Sequence, residues 1–320
     1  MPELVRITDV SPRDGLQNEP GAISTADKLR LVAALCESGL DEVEVSSFVS
    51  SKWIPQLGDA PALFAFLDSY LKSRPANAKT PLFSALVPNE QGLNGALAVN
   101  NTAGRPLIGK VSVFTAASET FAQKNTNATI AQTIDRFKPV VARAHDNNLL
   151  VRGYVSCVIA CPFEGPIDPT AVAAVAQQLI DIGVDELDFG DTIGAATPTT
   201  TRDLLIKTSQ SIGNQWVFAG NRFTLHLHDT FCQAAACAIE ALNLGVRSFD
   251  ASVAGLGGCP YASTPGNRAP GNIATETLVN TIRNNGFATS VDSIALHAAA
   301  MIARTIVSAS GNQQQVPPAS

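Results

Sequence analysis

Short runs rich in β-branched and apolar residues alternate along the chain with longer stretches whose apolar positions recur every three or four residues. Val5-Arg-Ile-Thr-Asp-Val10 reads as a strand, ends at Ser-Pro-Arg13-Asp14-Gly15, and precedes a helix that opens at Ser24-Thr-Ala-Asp27 and stops near Gly39. The unit recurs with Glu42-Val-Glu-Val45 before a helix near Ala60 to Leu71, and with Leu82 to Val87 before one near Gln91 to Val99. Lys110 to Phe114 precedes a helix from Ile130 to His145, and Leu150 to Ser156 precedes one from Ala171 to Ile182. Val184 to Phe189, Phe223 to His228 and Arg247 to Val253 complete eight strand-helix units. Strict alternation implies a parallel sheet with right-handed crossovers, and eight units predict a (β/α)₈ barrel. A doubly wound sheet could hold the same count, but no Gly-x-Gly-x-x-Gly follows an early strand. One domain is expected over 1–320: the barrel over about 4–285, a C-terminal helix over about 291–308, and a frayed tail at 309–320.

Composition narrows the function. In 320 residues, 45% are hydrophobic and 16% charged, enough apolar material for a large core. A net charge of -6 with neither basic block nor aromatic-interleaved basic stripe argues against nucleic acid as a partner. No apolar run approaches a membrane span, so no membrane partner is expected. The chain does not open on a basic and then apolar leader. The six cysteines are scattered and mostly lie in apolar segments, which suits a reducing cytoplasm. Cys36, Cys232 and Cys237 read as small buried hydrophobes on helices, as do Cys157 and Cys161 in their apolar segment. Residues 255 to 272 are dominated by Gly, Pro, Ser and Asn, with Cys259 between Gly-Gly and Pro-Tyr; this predicts a lid carrying a reactive thiol.

In such a barrel the active site lies at the carboxyl ends of the strands. Polar residues cluster there: Arg13 and Asp14 after the first strand, Glu44 in the second, Asp191 after the sixth, His226 and His228 in the seventh, and Cys259 and Asn272 after the eighth. Side chains two apart on a strand share a face, so His226 and His228 both aim into the mouth. Alone, such a pair could be two hydrogen-bonded core histidines. Joined by the carboxylate of Asp14 and the amide carbonyl of Asn272, it forms a mixed nitrogen and oxygen set with open positions, suited to Mg²⁺ or Mn²⁺. Adjacent residues at a turn seldom pair well, so Arg13 is not expected to be tied up by Asp14. Glu44 and Asp191 read as buried partners of Arg13 or of the histidines. His145 and His297 fall in helical patterns and read as bystanders.

Val10-Ser-Pro-Arg-Asp-Gly-Leu-Gln-Asn-Glu19, Ser47-Phe-Val-Ser, Arg152-Gly-Tyr-Val-Ser-Cys157, Gly190-Asp-Thr-Ile-Gly194, His226-Leu-His-Asp-Thr230 and Ser252-Val-Ala-Gly-Leu-Gly-Gly-Cys-Pro-Tyr261 together resemble the 3-hydroxy-3-methylglutaryl-CoA lyases, metal-dependent barrels of the lyase and Claisen-condensation type. The likeness implies that Asp14, His226, His228 and Asn272 bind a divalent cation, that Arg13 and Cys259 are catalytic with Asp14 or His226 as base, and that Glu44 and Asp191 support them. It implies an acyl-CoA substrate, for whose phosphates Lys52, Lys124 and Arg152 are the candidate cations. A homo-oligomer is expected. Two departures stand out: a lengthened segment with a second Gly-Asn at Asn267, and Pro20-Gly21 where such lyases can carry a basic residue. The lengthened segment keeps open a related lyase acting on another branched 3-hydroxyacyl-CoA, such as citramalyl-CoA or a longer-chain analogue. A non-catalytic CoA-binding protein would have no use for Arg13 and Cys259.

Overall fold

The structure, a computed structural model, describes residues 2–218, 222–258 and 271–313. Eight parallel strands close into a barrel: β1 (Arg6–Asp9), β2 (Glu42–Ser47), β3 (Leu82–Leu86), β4 (Lys110–Ala116), β5 (Leu150–Ser156), β8 (Glu186–Asp191), β9 (Phe223–Leu227) and β10 (Ser248–Ala251). Neighbours in the barrel are neighbours in sequence, and β1 pairs with β10 through Arg6↔Ser248 to Asp9↔Ala251 to seal it. Between β5 and β8, the two-residue strands β6 (Ala160–Cys161) and β7 (Gly165–Pro166) form a small antiparallel hairpin.

The helices on the outer ring begin where side chains satisfy their free N–H groups. Ser24 caps α1 (Thr25–Glu37), Asn89 caps α3 (Glu90–Ala103), and Thr129 forms a reciprocal capping box with Gln132 at the start of α5 (Ile130–Asp146). The ring is completed by α2 (Ala60–Ser73), α6 (Pro169–Asp181), α7 (Pro198–Ile212), α9 (Ala234–Leu244) and α10 (Thr275–Asn284). Two short helices, α4 (Glu119–Thr126) and α8 (Asn214–Val217), escape the periodicity test because each presents so few apolar positions. Only Phe121 and Ala122 of α4 are buried, and its start rests on Ser118 accepting from Phe121 N at 3.1 Å.

The last helix, α11 (Ser293–Gln313), runs beyond the expected end at 308 into what was assigned to the tail. Leu296, Ala299, Ala300, Ala303 and Ile306 form its buried stripe, packed on α1. Gly21 meets it so closely that a Cβ there would lie 2.2 Å from the Ser310 carbonyl oxygen, so Pro20-Gly21 serves packing at this point. The window Ser293–Ser310 is long and apolar enough to cross a membrane by length and composition, which corrects the expectation that no run approaches that length.

Strand alternation separates two kinds of core. Outward residues such as Ile7, Val43, Phe83, Val111, Val151, Leu187, Leu225 and Phe249 are buried under the helices. The inward residues are polar: Glu42, Glu44, Lys110, Arg152, Tyr154, Glu186, Asp188, Thr224, His226 and Asp250 are all buried. Barrels of this type are commonly filled by branched apolar side chains. Here an ionic lattice fills the interior and supports the mouth above it.

Candidate metal centre at the barrel mouth

The site is assembled from three strand ends and one returning segment. After β1, Ser11–Gly15 forms one wide helical turn, with Pro12 in its first turn, in which the N–H groups of Arg13, Asp14 and Gly15 all converge on the Val10 carbonyl. That turn holds Arg13 and Asp14 over the barrel opening. Arg13 donates from Nε to Glu44 Oε2 at 2.6 Å and from Nη1 to Asp14 Oδ1 at 2.8 Å. The adjacent pair does bond, contrary to the sequence expectation, because the wide turn points both side chains the same way. Burial alone would lower the Arg13 pKa; Glu44 and then Asp14 raise it above its ordinary value, so the guanidinium is a permanent cation.

His226, near the end of β9, and His228, just past it, point to one face with ring centroids 5.0 Å apart. Their Nδ1 atoms are already committed: His226 Nδ1 lies 3.1 Å from Asp250 Oδ2, and His228 Nδ1 lies 2.9 Å from the Asp191 carbonyl. A carbonyl can only accept, so His228 Nδ1 carries the hydrogen and the neutral ring keeps its lone pair on Nε2. Burial, then the neighbouring His226, pushes the His228 pKa down to about 4 and favours that neutral form. Asp250 imposes the same tautomer on His226. Burial opposes its ionisation, but Arg152 and His226 hold it well below the usual carboxylate range. This is the second-sphere arrangement that orients a ligating imidazole.

Asn272 is far away in sequence but is laid beside His228 by backbone pairing. His228 and Asn272 form an antiparallel bridge, Asp229 N donates to the Gly271 carbonyl at 2.9 Å, and Ile273 N donates to the Leu227 carbonyl at 2.9 Å. The Asn272 amide donates to Asp14 Oδ2 at 2.8 Å and to the Leu256 carbonyl at 2.9 Å. Gly257 (φ +102°) approaches so closely that a Cβ there would lie 2.5 Å from Asn272 Nδ2.

The Asn272 side chain keeps one polar atom unmet. Asn272 Oδ1 is buried and accepts no hydrogen bond. Such an acceptor is costly unless something else meets it. Next to Asn272, which bonds Asp14 and bridges to His228, the residues Asp14, His226 and His228 bring one ligand atom each to within 4.8 Å of one another. Two imidazole nitrogens, a carboxylate and an amide oxygen are a chemically fitting set for a divalent cation. Burial would raise Asp14, but Arg13 and then the two histidines bring it below the ordinary value, so it is ionised.

The remaining expectations divide. Glu44 meets Arg13 as expected. Asp191 supports His228 through its backbone carbonyl, while its carboxylate accepts from Ala195 N at 3.0 Å and Ala196 N at 2.9 Å; burial lifts its pKa to about 6 against those bonds. Arg152 is a correction. Placed near the amino end of β5, it is fully buried and paired with Glu186 at 2.8 Å, Asp250 at 3.1 Å, Glu42 at 3.3 Å and Asp188 at 3.4 Å, so it cannot meet a phosphate at the mouth. Lys124 lines a cavity of about 380 Å³ that also takes in Arg13, Asp14, His226 and His228, with Leu86, Phe114 and Phe121 in its wall. Lys52 is exposed beside Trp53, which lines the same cavity. Cys232 is exposed in the loop before α9 at φ +57°, not buried on a helix. Cys259 and Asn267 lie outside the described residues.

Asp250 and Tyr154 were missed. Tyr154 places its hydroxyl 3.3 Å from Glu44 Oε2 and 3.2 Å from Asp250 Oδ2, with the Arg13 guanidinium 5.5 Å from its ring centre. It thereby joins the Arg13 side of the site to the His226 side. The signal was present: Tyr154 stands two residues before the end of β5 and Asp250 one residue before the end of β10, both on the inward face.

A family model described as HMGL-like matches residues 4–302. The chain is 41% identical over 296 residues to a 3-hydroxy-3-isohexenylglutaryl-CoA/hydroxy-methylglutaryl-CoA lyase of Pseudomonas aeruginosa, covering 92% of this chain and 90% of that one. Among solved structures, the HMG-CoA lyase of Brucella melitensis superposes with a TM-score of 0.84 at 38% identity, covering 96% of this chain and 99% of that one. An HMG-CoA lyase of Acinetobacter baumannii in complex with coenzyme A and 3-methylmalate superposes with a TM-score of 0.81 at 29% identity, covering 99% and 98%. The chain therefore belongs to the HMGL-like family, and it is a carbon-carbon lyase built on a (β/α)₈ barrel.

Proposed function

We propose that this enzyme cleaves 3-hydroxy-3-methylglutaryl-CoA into acetyl-CoA and acetoacetate, using Mg²⁺ or Mn²⁺ held by Asp14, His226, His228 and Asn272. The observation that carries the reading is a carboxylate and two imidazoles whose Nδ1 atoms are spoken for, converging beside Asn272, which bonds Asp14, bridges to His228 and keeps a buried, unbonded Oδ1. When bound, the cation would acidify the substrate's tertiary hydroxyl and orient it together with the terminal carboxylate.

The chain's own groups account for the rest. Asp14 takes the hydroxyl proton, since both nitrogens of His226 are engaged, Nδ1 with Asp250 and Nε2 with the cation; the carbon-carbon bond to the thioester methylene breaks as the alcohol carbon becomes the ketone of acetoacetate. The bonding pair passes into the thioester enolate, where Arg13, locked by Glu44, donates hydrogen bonds to the oxygen as charge develops. Cys259, brought in by closure of its loop, returns a proton to the methylene carbon to give acetyl-CoA. Lys124 and Lys52 are proposed to meet the CoA phosphates, and a cytoplasmic setting suits thiols that, among the described cysteines, are all free.

The test is direct. Purified protein with Mg²⁺ or Mn²⁺ and 3-hydroxy-3-methylglutaryl-CoA should release acetyl-CoA and acetoacetate in equal amounts, and EDTA should stop it. Equal turnover with and without chelator would overturn the cation's part, and an inert substrate would overturn the acyl assignment. A Cys259→Ala protein that kept wild-type turnover would remove the thiol from the mechanism.

A further inference from the structure

Asp9, the last residue of β1, is fully buried and divides its two carboxylate oxygens between separate parts of the site. Oδ1 accepts from Ser11 N at 2.9 Å and from the Ser11 hydroxyl. Oδ2 accepts from Val253 N at 3.0 Å and from the Thr275 hydroxyl at 2.7 Å. Ser11 opens the turn that carries Arg13 and Asp14. Val253 opens the turn Val253–Gly255, after which the Leu256 carbonyl receives the Asn272 amide. Thr275 is three residues past Asn272 and opens α10. One buried carboxylate thus ties the turn after β1 to two segments that each lie more than 240 positions away in the chain. Two of them carry proposed ligands, and those ligands touch each other through the 2.8 Å bond between Asn272 and Asp14.

We propose that Asp9 is a positioning residue that fixes the separation of Asp14 and Asn272 and thereby sets the affinity for the divalent cation; the inference rests on the cation centre proposed above. It works because a carboxylate is acceptor on both oxygens. An amide of the same shape offers one acceptor, and its NH₂ must face either the Ser11 donors or those of Val253 and Thr275, so one side of the tie is lost. The ligands remain in place chemically but are no longer held at a common distance. Loss of such an outer partner typically weakens metal binding about 10–100-fold.

Mn²⁺ titration of metal-stripped full-length protein, followed by the electron paramagnetic resonance signal of free Mn²⁺, tests this. Asp9→Asn should raise the Mn²⁺ Kd about 10–100-fold, and saturating Mn²⁺ should bring its kcat most of the way back. A general folding defect would not be rescued by the metal. If Asp9→Asn fails to fold, Thr275→Val decides, since it removes one bond on the Asn272 side only and should raise Kd by several-fold. Variants that fold and bind Mn²⁺ within twofold of wild type overturn the role of Asp9 and leave the cation centre standing. A wild-type protein that binds no Mn²⁺ overturns the centre itself, and the inference with it.

Discussion

Two clusters of buried charge lie one above the other in this barrel, and they are built on opposite principles. In the interior, cations and anions are supplied together: Lys110 reaches Glu42 at 2.6 Å and Glu186 at 2.5 Å, and Arg152 touches four carboxylates. Burial would raise Glu186, but Arg152 and Lys110 bring it down to about 2, while burial and the adjacent Asp250 push Asp188 well above the ordinary carboxylate range. At the mouth, Asp14, His226 and His228 bring one potential ligand atom each to within 4.8 Å of one another with no side-chain cation among them, and Arg13 is bound sideways to Glu44 and Asp14. The interior closes its electrostatics with side chains, whereas the mouth is complementary to a cation from outside the chain. Equal burial and similar residue types therefore mean scaffold in one place and chemistry in the other, and the balance of donors to acceptors distinguishes them.

The strongest way to break that contrast is to remove an interior cation. Arg152→Met should leave Glu42, Glu186, Asp188 and Asp250 without their shared partner, a change that typically costs roughly 3–5 kcal/mol. Urea unfolding should show the loss as a lower midpoint with an unchanged slope, and activity should fall at least as far as the folded fraction, since Arg152 also holds Asp250, the partner of His226, ionised. A variant within about 1 kcal/mol of wild type would mean that the lattice is not holding the barrel.

At the mouth the same kind of deletion should do the reverse. His228→Gln gives up a hydrogen bond to the Asp191 carbonyl, worth about 1 kcal/mol, so metal-free stability should barely move. Its kcat/KM should drop by roughly a hundredfold or more, since losing even an outer partner of a ligand costs 10–100-fold. Mn²⁺ at a hundred times its Kd should stabilise wild type by about 2.7 kcal/mol and the variant far less at the same concentration. If His228→Gln destabilised the metal-free protein as severely as Arg152→Met, the mouth would be a second scaffold and the contrast would fail.

This division was only half legible from the sequence. The barrel followed from eight alternating units because period-2 and period-3.6 patterns report burial directly. The strand-end residues followed from the same frame, and His226-Leu-His228 announced its shared face. What escaped was whatever depends on how strands stand around the barrel. Arg152 sits in the same element as Tyr154 and was placed at the mouth because nothing local shows that the third residue of β5 lies deep while later ones rise to the opening. Asp250 in Ser-Phe-Asp-Ala looks like any strand carboxylate until β10 is set beside β9, where it is in register with His226. Asn272 was found from its motif and strand-end position; its backbone pairing with His228 became visible only in three dimensions.

Acid should separate the two clusters in a different way. In metal-free protein His228 resists protonation until about pH 4, while the unfolded chain takes the proton near pH 6.5. Between those values the unfolded state binds more protons, so wild type loses stability as pH falls from 6.5 toward 4, by up to about 3 kcal/mol relative to neutral pH. Asp9 and Asp191, both raised to about 6 by burial, act with the opposite sign: their contribution is greatest below pH 4 and is lost as pH rises through 6. The measurement is therefore the difference between wild type and His228→Gln in thermal or urea stability over pH 4–7. His228→Gln, slightly the less stable at pH 7, should become the more stable of the two toward pH 4, and a pH-independent difference would mean that His228 is not held neutral by its surroundings.

The smallest effect belongs to the rim. Lys124 is exposed on α4 with its ammonium 4.8 Å from the Phe163 ring centre, and it lines the cavity without touching the interior lattice. An exposed charge meeting a phosphate in water contributes about 1 kcal/mol or less and is screened by salt. Lys124→Ala should therefore raise KM for the acyl-CoA by a few-fold at low ionic strength, leave kcat unchanged, and lose most of that difference near 0.5 M salt, where the Debye length is only about 4 Å. A salt-independent change in KM would assign the side chain to packing against Phe163 instead. A change in kcat would connect the rim to the reacting atoms, and the functional boundary would then lie further out than the donor-acceptor balance of the mouth indicates.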